Sequence, residues 1–245
     1  MAKSKSATPA RVAGDAAVYG LRFLRNHLWR IALWFFCLLL PLWAFAALVG
    51  EMHEKEVFAF DAPILNWLHG LATPGLNHVF VLISGAGYRW GVLPFDAIIL
   101  VFLGVHKRFR DGLFFGIAVV GSAVLNIVAK NHYARLRPDL WLSIMPESTY
   151  SFPSGHAMGS MTLAMAVVLL YWSTRARLPV LVVSVIFVLL VGISRVYLGV
   201  HYPSDILAGW TAAMAWTFAM YSLVDRKAPP PPPTAAPDKD AIGQP

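Results

Sequence analysis

Cysteine is almost absent from this sequence of 245 residues: the single one, Cys37, lies inside an apolar run. This excludes a disulfide framework, a cysteine-based metal site and a thiol nucleophile. Charged residues are also scarce, at 13% of the chain, where soluble globular proteins have roughly one quarter. Hydrophobic residues make up 58%, with nine tryptophans and fifteen phenylalanines. The composition argues against a soluble enzyme and a disordered chain, and favours a protein with several membrane spans.

Six apolar runs approach the roughly 20 residues that a membrane-spanning helix needs. They lie at 31–49, within 78–105, and at 113–128, 157–172, 179–199 and 206–224. Between the first two runs, Asp61 and Pro63 are typical of the N-cap and early-turn proline of a short helix. We therefore predict an all-α fold, a six-transmembrane-helix bundle with a short interfacial helix between spans 1 and 2.

The sequence divides into three parts. Residues 1–30 form a basic segment, and residues 31–224 hold the six predicted spans. Residues 225–245 include five consecutive prolines, a composition that favours polyproline II and no packed core. We predict that the first and last parts are cytoplasmic and that the proline-rich tail is disordered.

Lysine and arginine are distributed unevenly between the two sides of this topology. Fourteen of the twenty lie on one side, namely Lys3, Lys5, Arg11, Arg22, Arg25, Arg30, Lys107, Arg108, Arg110, Arg175, Arg177, Arg226, Lys227 and Lys239. The positive-inside rule assigns that side to the cytoplasm. This placement accounts for the net charge of +7 without a nucleic-acid partner.

Charged and imidazole groups cluster at the opposite, outer ends of three spans. The clusters are Lys130 with Arg137 and Pro138, then Pro153 to His156, and then Ser194 and Arg195 with His201 and Asp205. Each has an ordinary explanation: basic residues snorkel to headgroups, and the other two clusters can be a turn or a capped helix start. Together, however, the topology brings all three to one membrane face, where such residues are costly.

The combined residues suit an anionic phosphate. Lys130, Arg137 and Arg195 supply three positive charges, and arginine can bind phosphate oxygens in a bidentate manner. Backbone N–H groups around Ser154 and Gly155, at the start of span 4, would add an anion-binding pocket. We therefore predict that these five residues hold phosphate.

Two histidines can divide the work of phosphoryl transfer through a covalent intermediate. His201 is our candidate nucleophile, and Asp205, four residues later, can hold one of its ring nitrogens. His156 is then the acid for the leaving group and later the base. We predict no metal and no other cofactor, since the positive side chains can stabilise the transition state.

At these positions the sequence resembles the type 2 phosphatidic acid phosphatase superfamily, whose signature is KxxxxxxRP, PSGH and SRxxxxxHxxxD. The three parts match at Lys130–Pro138, Pro153–His156 and Ser194–Asp205 without a substitution. The resemblance covers mainly residues 55–224 and implies metal-independent phosphate hydrolysis with the same roles for the same residues. The six-span layout is similar to the integral-membrane branch, which includes phosphatidylglycerophosphate, undecaprenyl pyrophosphate and lipid A phosphatases.

We therefore predict a lipid phosphate phosphatase that hydrolyses a phosphomonoester or a terminal pyrophosphate phosphate through a phosphohistidine. Its partners would be a phosphorylated lipid and the surrounding membrane lipids, and its active site would face outward from a bacterial inner membrane. The alternatives are a lipid A phosphatase or lipid phosphotransferase with the same site, a vanadate-dependent haloperoxidase, and a non-catalytic channel or lipid-binding protein. Six spans argue against the haloperoxidase, which is soluble, and two histidines with an aspartate argue against a non-catalytic protein.

Two variable positions of the first motif and the loop that follows this motif are predicted to contact the lipid headgroup. The candidates are His132, Arg135, Asp139, Trp141 and Tyr150. Asp96 lies inside span 2 and belongs to no motif, so its role stays open at this point.

Overall fold

The computed structural model describes residues 31–53 and 58–224, and Leu28 before them. This part of the chain contains eight α-helices and no β-strand, which confirms the all-α prediction for it. The predicted basic segment, apart from Leu28, and the predicted proline-rich tail lie outside the described residues.

The helices follow one another with short connections. They are α1 Leu40–His53, which continues a π-helical turn at Phe35–Leu39, α2 Asp61–Gly70, α3 Pro74–Ala86, α4 Val92–Val105, α5 Phe109–Tyr133, α6 Gly155–Tyr171, α7 Arg177–Tyr197 and α8 Pro203–Val224. The longest connection is the segment 134–154 between α5 and α6, which carries most of the loop residues of the site.

Four helical segments are long and apolar enough to cross a membrane. They are Ile31–Met52, Phe109–Tyr133, Arg177–Tyr197 and Pro203–Val224, while α4 and α6 are apolar but shorter. The range 78–105, within which the second span was predicted, holds most of α3, which ends at Ala86, and all of α4, which begins at Val92. The turn between them needs glycine, since a Cβ at Gly91 would collide with the Ala86 carbonyl.

Local sequence explains the starts of two helices but not a third. Thr73 caps α3 by accepting a hydrogen bond from Leu76 N at 3.2 Å, with Pro74 in the first turn. Ser154 caps α6 in the same way. The prediction that Asp61 caps α2 is wrong: Phe60 occupies the cap, and the Asp61 carboxylate accepts hydrogen bonds from Ser204 N at 2.9 Å and Ser204 Oγ at 2.6 Å. Asp61 thus bonds to Ser204, which is distant in sequence, and not to the N–H groups at the start of its own helix.

Helix α6 lies at the centre and packs against α4, α5, α7 and α8. Its buried positions are mostly small or short, including Ala157, Ser160, Thr162, Ala164 and Ala166. Small side chains let helix backbones approach closely in an apolar environment. At Gly209 of α8 the approach is so close that a Cβ would lie 2.9 Å from Ala157 Cβ and from the Ser154 carbonyl oxygen. The beginnings of α6 and α8 are thereby held together.

Candidate active site

The three predicted clusters meet at one end of the bundle. Lys130 lies in the last turn of α5 and Arg195 in the last turn of α7, while Ser154 precedes α6 and Asp205 lies in the first turn of α8. The Ser154 backbone N–H donates to the Asp205 carbonyl at 3.1 Å, which joins the second cluster to the third. Arg137 and His201 come from the connections between helices. The juxtaposition that the sequence predicted is therefore present.

His201 and Asp205 form the expected pair. Both side chains are buried, and His201 Nδ1 lies 3.4 Å from Asp205 Oδ2. Ser151, which the sequence analysis missed, donates its hydroxyl to the same carboxylate oxygen and lies 3.3 Å from His201 Nδ1. The Tyr202 backbone N–H also donates to Asp205 Oδ2, at 2.9 Å. These bonds fix the carboxylate in front of one nitrogen of the ring.

The other ring nitrogen of His201 faces a cation. Arg137 Nη1 lies 3.1 Å from His201 Nε2. A guanidinium can only donate hydrogen bonds, so Nε2 must accept, and the ring proton resides on Nδ1, beside Asp205. Burial, followed by the positive charges of Arg137, Arg195 and Lys130, lowers the pKa of His201 well below its ordinary value of 6.5. The ring is thus neutral at pH 7 with its nucleophilic lone pair on Nε2.

Main-chain carbonyls hold two of the three predicted phosphate-binding cations. Lys130 Nζ donates to the Tyr150 carbonyl. Arg137 donates to the carbonyls of Thr149 at 2.6 Å and Val200 at 2.6 Å.

The guanidinium of Arg195 is fully buried and donates to Ser84 Oγ, on α3. Desolvation, partly offset by nearby carboxylates, lowers the pKa of Arg137, although an arginine keeps its charge.

Glu147 lies between the two arginines and was not predicted. Its Oε2 accepts from Arg137 Nη2 at 2.7 Å, its Oε1 accepts from Arg195 Nη2, and the same Oε1 lies 3.9 Å from His156 Nδ1. A carboxylate and a phosphate present similar oxygen pairs to a guanidinium. The Glu147 carboxylate therefore occupies the kind of position that a phosphate would take between Arg137 and Arg195.

The start of α6 offers fewer N–H groups than predicted. Ser154 N is bonded to the Asp205 carbonyl, and Ser154 Oγ accepts from Ala157 N at 3.4 Å. Ser154 is thus a cap and a link to α8, whereas the N–H groups of Gly155 and His156 belong to the first helical turn, where no intrahelical acceptor exists. Asn126 supports this turn from α5, donating to the Pro153 carbonyl at 3.1 Å. No sequence motif marks Asn126.

Arg135 lies behind Asp205, and its contacts are with carboxylates of the protein. Its Nη1 lies 2.5 Å from Asp205 Oδ1 and its Nη2 lies 2.9 Å from Asp61 Oδ2. The guanidinium also lies 4.2 Å from the ring centre of Tyr202. Arg135 thus belongs to a buried network, because two unpaired buried carboxylates would be costly. Its predicted role at the headgroup stays a prediction.

The other predicted headgroup residues lie in different surroundings. His132 lines an apolar groove beside Tyr133 and Pro153. Trp141 stacks on His69 with ring centres 3.9 Å apart. Tyr150 contributes its carbonyl to Lys130 and Arg137, and Asp139 is exposed. A role for these four residues in headgroup selection stays a prediction.

Comparison with known proteins identifies the family of this chain. The PAP2 superfamily profile matches residues 111–229. Phosphatidylglycerophosphatase B of Bacillus subtilis is 30% identical over 179 residues, covering 71% of this chain and 88% of that protein. An undecaprenyl-diphosphatase of Sulfolobus acidocaldarius is 31% identical over 166 residues, covering 64% and 74%.

A solved structure has the same fold. The crystal structure of a transmembrane PAP2-type phosphatidylglycerolphosphate phosphatase from Bacillus subtilis superimposes with a TM-score of 0.67 at 27% identity, covering 75% of this chain and 94% of that chain. These relatives show that the chain belongs to the PAP2 superfamily. Together with its apolar helices and the histidines and cations at one end of the bundle, they identify it as an integral-membrane phosphatase.

Proposed function

We propose that this enzyme hydrolyses a phosphorylated membrane lipid, with His201 as nucleophile, His156 as acid and base, and Asp205 orienting His201. The substrate is a phosphomonoester such as phosphatidic acid or phosphatidylglycerophosphate, or the terminal phosphate of undecaprenyl pyrophosphate. One observation carries the proposal: two histidines and three cations converge where α5 and α7 end and α6 and α8 begin. They are His156, His201, Lys130, Arg137 and Arg195. The substrates named for two relatives have these two headgroup types.

The proposed topology has six spans with the site on the extracytoplasmic face of a bacterial inner membrane. The four long segments and the shorter α4 and α6 are the spans, and α2 lies at the interface. Helix α4, with 14 residues, is about 21 Å long against a hydrocarbon core of about 30 Å. Trp90, which is 76% exposed just before α4, suits the adjacent interface. The uneven distribution of lysine and arginine supports the orientation.

In the first chemical step, His201 Nε2 attacks phosphorus as Arg137 turns from Nε2 to the phosphate oxygens. The P–N bond forms and the P–O bond to the leaving group breaks, while protonated His156 gives its proton to the leaving oxygen. Lys130, Arg137 and Arg195 stabilise the negative charge on the equatorial oxygens, with the N–H groups of Gly155 and His156. Asp205 stabilises the positive charge that develops on the His201 ring.

In the second step, His156 removes a proton from water, and the oxygen attacks the phosphohistidine. The P–N bond breaks, inorganic phosphate is released, and His201 returns to its neutral form. The lipid-bound product leaves with its hydroxyl or its remaining phosphate. The protein's own cations supply the electrostatic stabilisation in both steps.

The test is phosphate release by the purified full chain in detergent with excess EDTA. Phosphatidic acid, phosphatidylglycerophosphate, undecaprenyl pyrophosphate and lipid A are compared as substrates. We expect release from at least one lipid in the presence of EDTA, reduced roughly 10³-fold or more by His201→Ala. His106→Ala, at an exposed histidine beyond α4, is the matched control and should keep full activity.

Two other outcomes would change the assignment. Release that begins only when a second lipid is added, with phosphate recovered on that lipid, would identify a phosphotransferase. No release from any lipid by protein shown to be folded would contradict the proposed substrates, and activity equal in His201→Ala would contradict the proposed nucleophile.

A further inference from the structure

Asp96 is a buried acid that the proposed mechanism does not use. It lies on α4, is 6% exposed, and its Oδ1 has no hydrogen-bond partner among the described residues. A buried carboxylate oxygen without a partner is costly, and in native structures it commonly indicates an ion or water. A proton on the carboxyl group, a water molecule or a bound cation would each offset this cost.

A small polar cavity adjoins this carboxylate. Its volume is about 90 Å³, and four of its oxygen-bearing side chains come from three helices, with Asp96 on α4, Ser122 and Asn126 on α5, and Thr162 on α6. Thr162 Oγ1 donates to Ser122 Oγ at 2.8 Å, which leaves lone pairs on both oxygens. Asn126 uses its Nδ2 on the Pro153 carbonyl and Met158 Sδ, so its Oδ1 remains available. A space of this size holds roughly three water-sized particles.

The charge of the cavity selects the class of ligand. Asp96 is the one charged side chain among the described residues that line it; besides the polar groups above, Tyr88 and apolar or glycine residues complete the wall. Hard cations prefer oxygen ligands such as carboxylate, amide and hydroxyl groups. A monovalent cation would make the site neutral, whereas a divalent ion would leave an uncompensated charge among apolar helices, which is expensive.

We propose that this cavity binds a monovalent alkali cation, with the Asp96 carboxylate and the oxygens of Ser122, Asn126 and Thr162 as its protein ligands. The ion joins α4, α5 and α6 beneath the start of α6. Gly155 lines the same cavity, and the ring of Tyr88 lies 5.1 Å from that of His156. The ion thus stabilises the helix that begins at the phosphate-binding turn. This site is independent of the lipid substrate proposed above.

The test is thermal unfolding of the purified full chain in detergent, in sodium, potassium and choline chloride at one ionic strength. We expect Tm to be at least about 3 °C higher in sodium or potassium than in choline. Asp96→Asn, which keeps the shape but removes the charge, should abolish the difference. Asp111→Asn is the matched control, since Asp111 is paired with Arg108 on the surface, away from the cavity.

A second variant covers the case in which Asp96→Asn does not fold. Thr162→Val removes one proposed ligand oxygen without changing charge, and we expect it to raise the cation concentration that gives half of the Tm shift. Equal Tm values in the three salts would overturn the proposal. So would a cation-specific shift that persists in Asp96→Asn, or a half-saturating concentration unchanged by Thr162→Val.

Discussion

Single side chains determine whether the nucleophile of this site is ready to react. The lone pair of His201 Nε2 accepts from Arg137, while Nδ1 faces Asp205 and Ser151. The reactive tautomer is therefore set before a substrate arrives. Arg137 has to move only from the ring to the phosphate oxygens for attack to begin.

The lowered pKa of His201 predicts a loss of stability in acid. Between pH 7 and pH 5 the unfolded chain, in which histidine titrates near 6.5, takes up a proton that the folded protein resists. The contribution is present above pH 6.5 and is lost as the pH falls below that value. Thermal unfolding should show a smaller fall in Tm between these pH values for His201→Gln than for the parent.

His106→Gln serves as the control for this measurement, because that histidine is exposed. It should follow the parent protein at both pH values. A parent and a His201→Gln variant with the same pH dependence would show that His201 is not kept neutral by its surroundings.

Glu147 is predicted to compete with phosphate for Arg137 and Arg195. Glu147→Gln removes the negative charge with little change of shape, so inorganic phosphate should inhibit the variant more strongly. A Ki lowered about tenfold corresponds to about 1.4 kcal/mol. The Ki is measured from the inhibition of lipid hydrolysis by inorganic phosphate. Glu51→Gln, at an exposed position of α1, is the control. A raised Ki would show instead that Glu147 holds the two arginines in place for the substrate.

The residues that the sequence analysis identified are those within short motifs, and the ones that it missed reach the site from elsewhere. Lys130, His156 and His201 lie at fixed spacings within motifs whose side chains indicate phosphate binding and phosphoryl transfer. Glu147 and Asn126 lie on a loop and a helix where no local pattern distinguishes them from a solvated acid or a buried amide. Only the packing of α5 against α6 brings Asn126 to the phosphate-binding turn.

Whole helices were predicted more reliably than their ends. The apolar runs at 113–128, 179–199 and 206–224 fall within or largely overlap α5, α7 and α8. The break between α3 and α4 was missed, because apolar residues continue on both sides of the Gly87 and Gly91 turn. Hydropathy detects burial in lipid but not a change of backbone direction.

The contact of α6 with α8 predicts sensitivity at Gly209. Gly209→Ala would place a methyl group 2.9 Å from the Ser154 carbonyl oxygen and from Ala157 Cβ, so the two helix starts must separate. Overpacking of this kind costs about 1–3 kcal/mol, and we expect Tm to fall by roughly 2–10 °C. Gly104→Ala on α4, where a Cβ meets nothing within 4 Å, is the control and should leave Tm unchanged or raise it. An equal Tm for both variants would contradict the close approach.

At the scale of the molecule, the uneven charge predicts the orientation in the membrane. Cys37 is the single cysteine, so a Cys37→Ser background accepts one new thiol at a time. A membrane-impermeant maleimide should label Leu140→Cys in intact cells and Lys107→Cys only after permeabilisation. The reverse pattern would place the site in the cytoplasm, and labelling of both in intact cells would contradict the proposed number of spans.

The anchoring of Lys130 and Arg137 has a consequence for how this architecture can diversify. Both cations are held by carbonyl groups, at Thr149, Tyr150 and Val200, and a carbonyl is present whatever the side chain. Many side chains of the segment 134–154 can therefore change while Lys130 and Arg137 stay in place to bind phosphate. Mutations in this segment can then change which lipid the enzyme accepts while the groups that cleave the phosphate keep their positions.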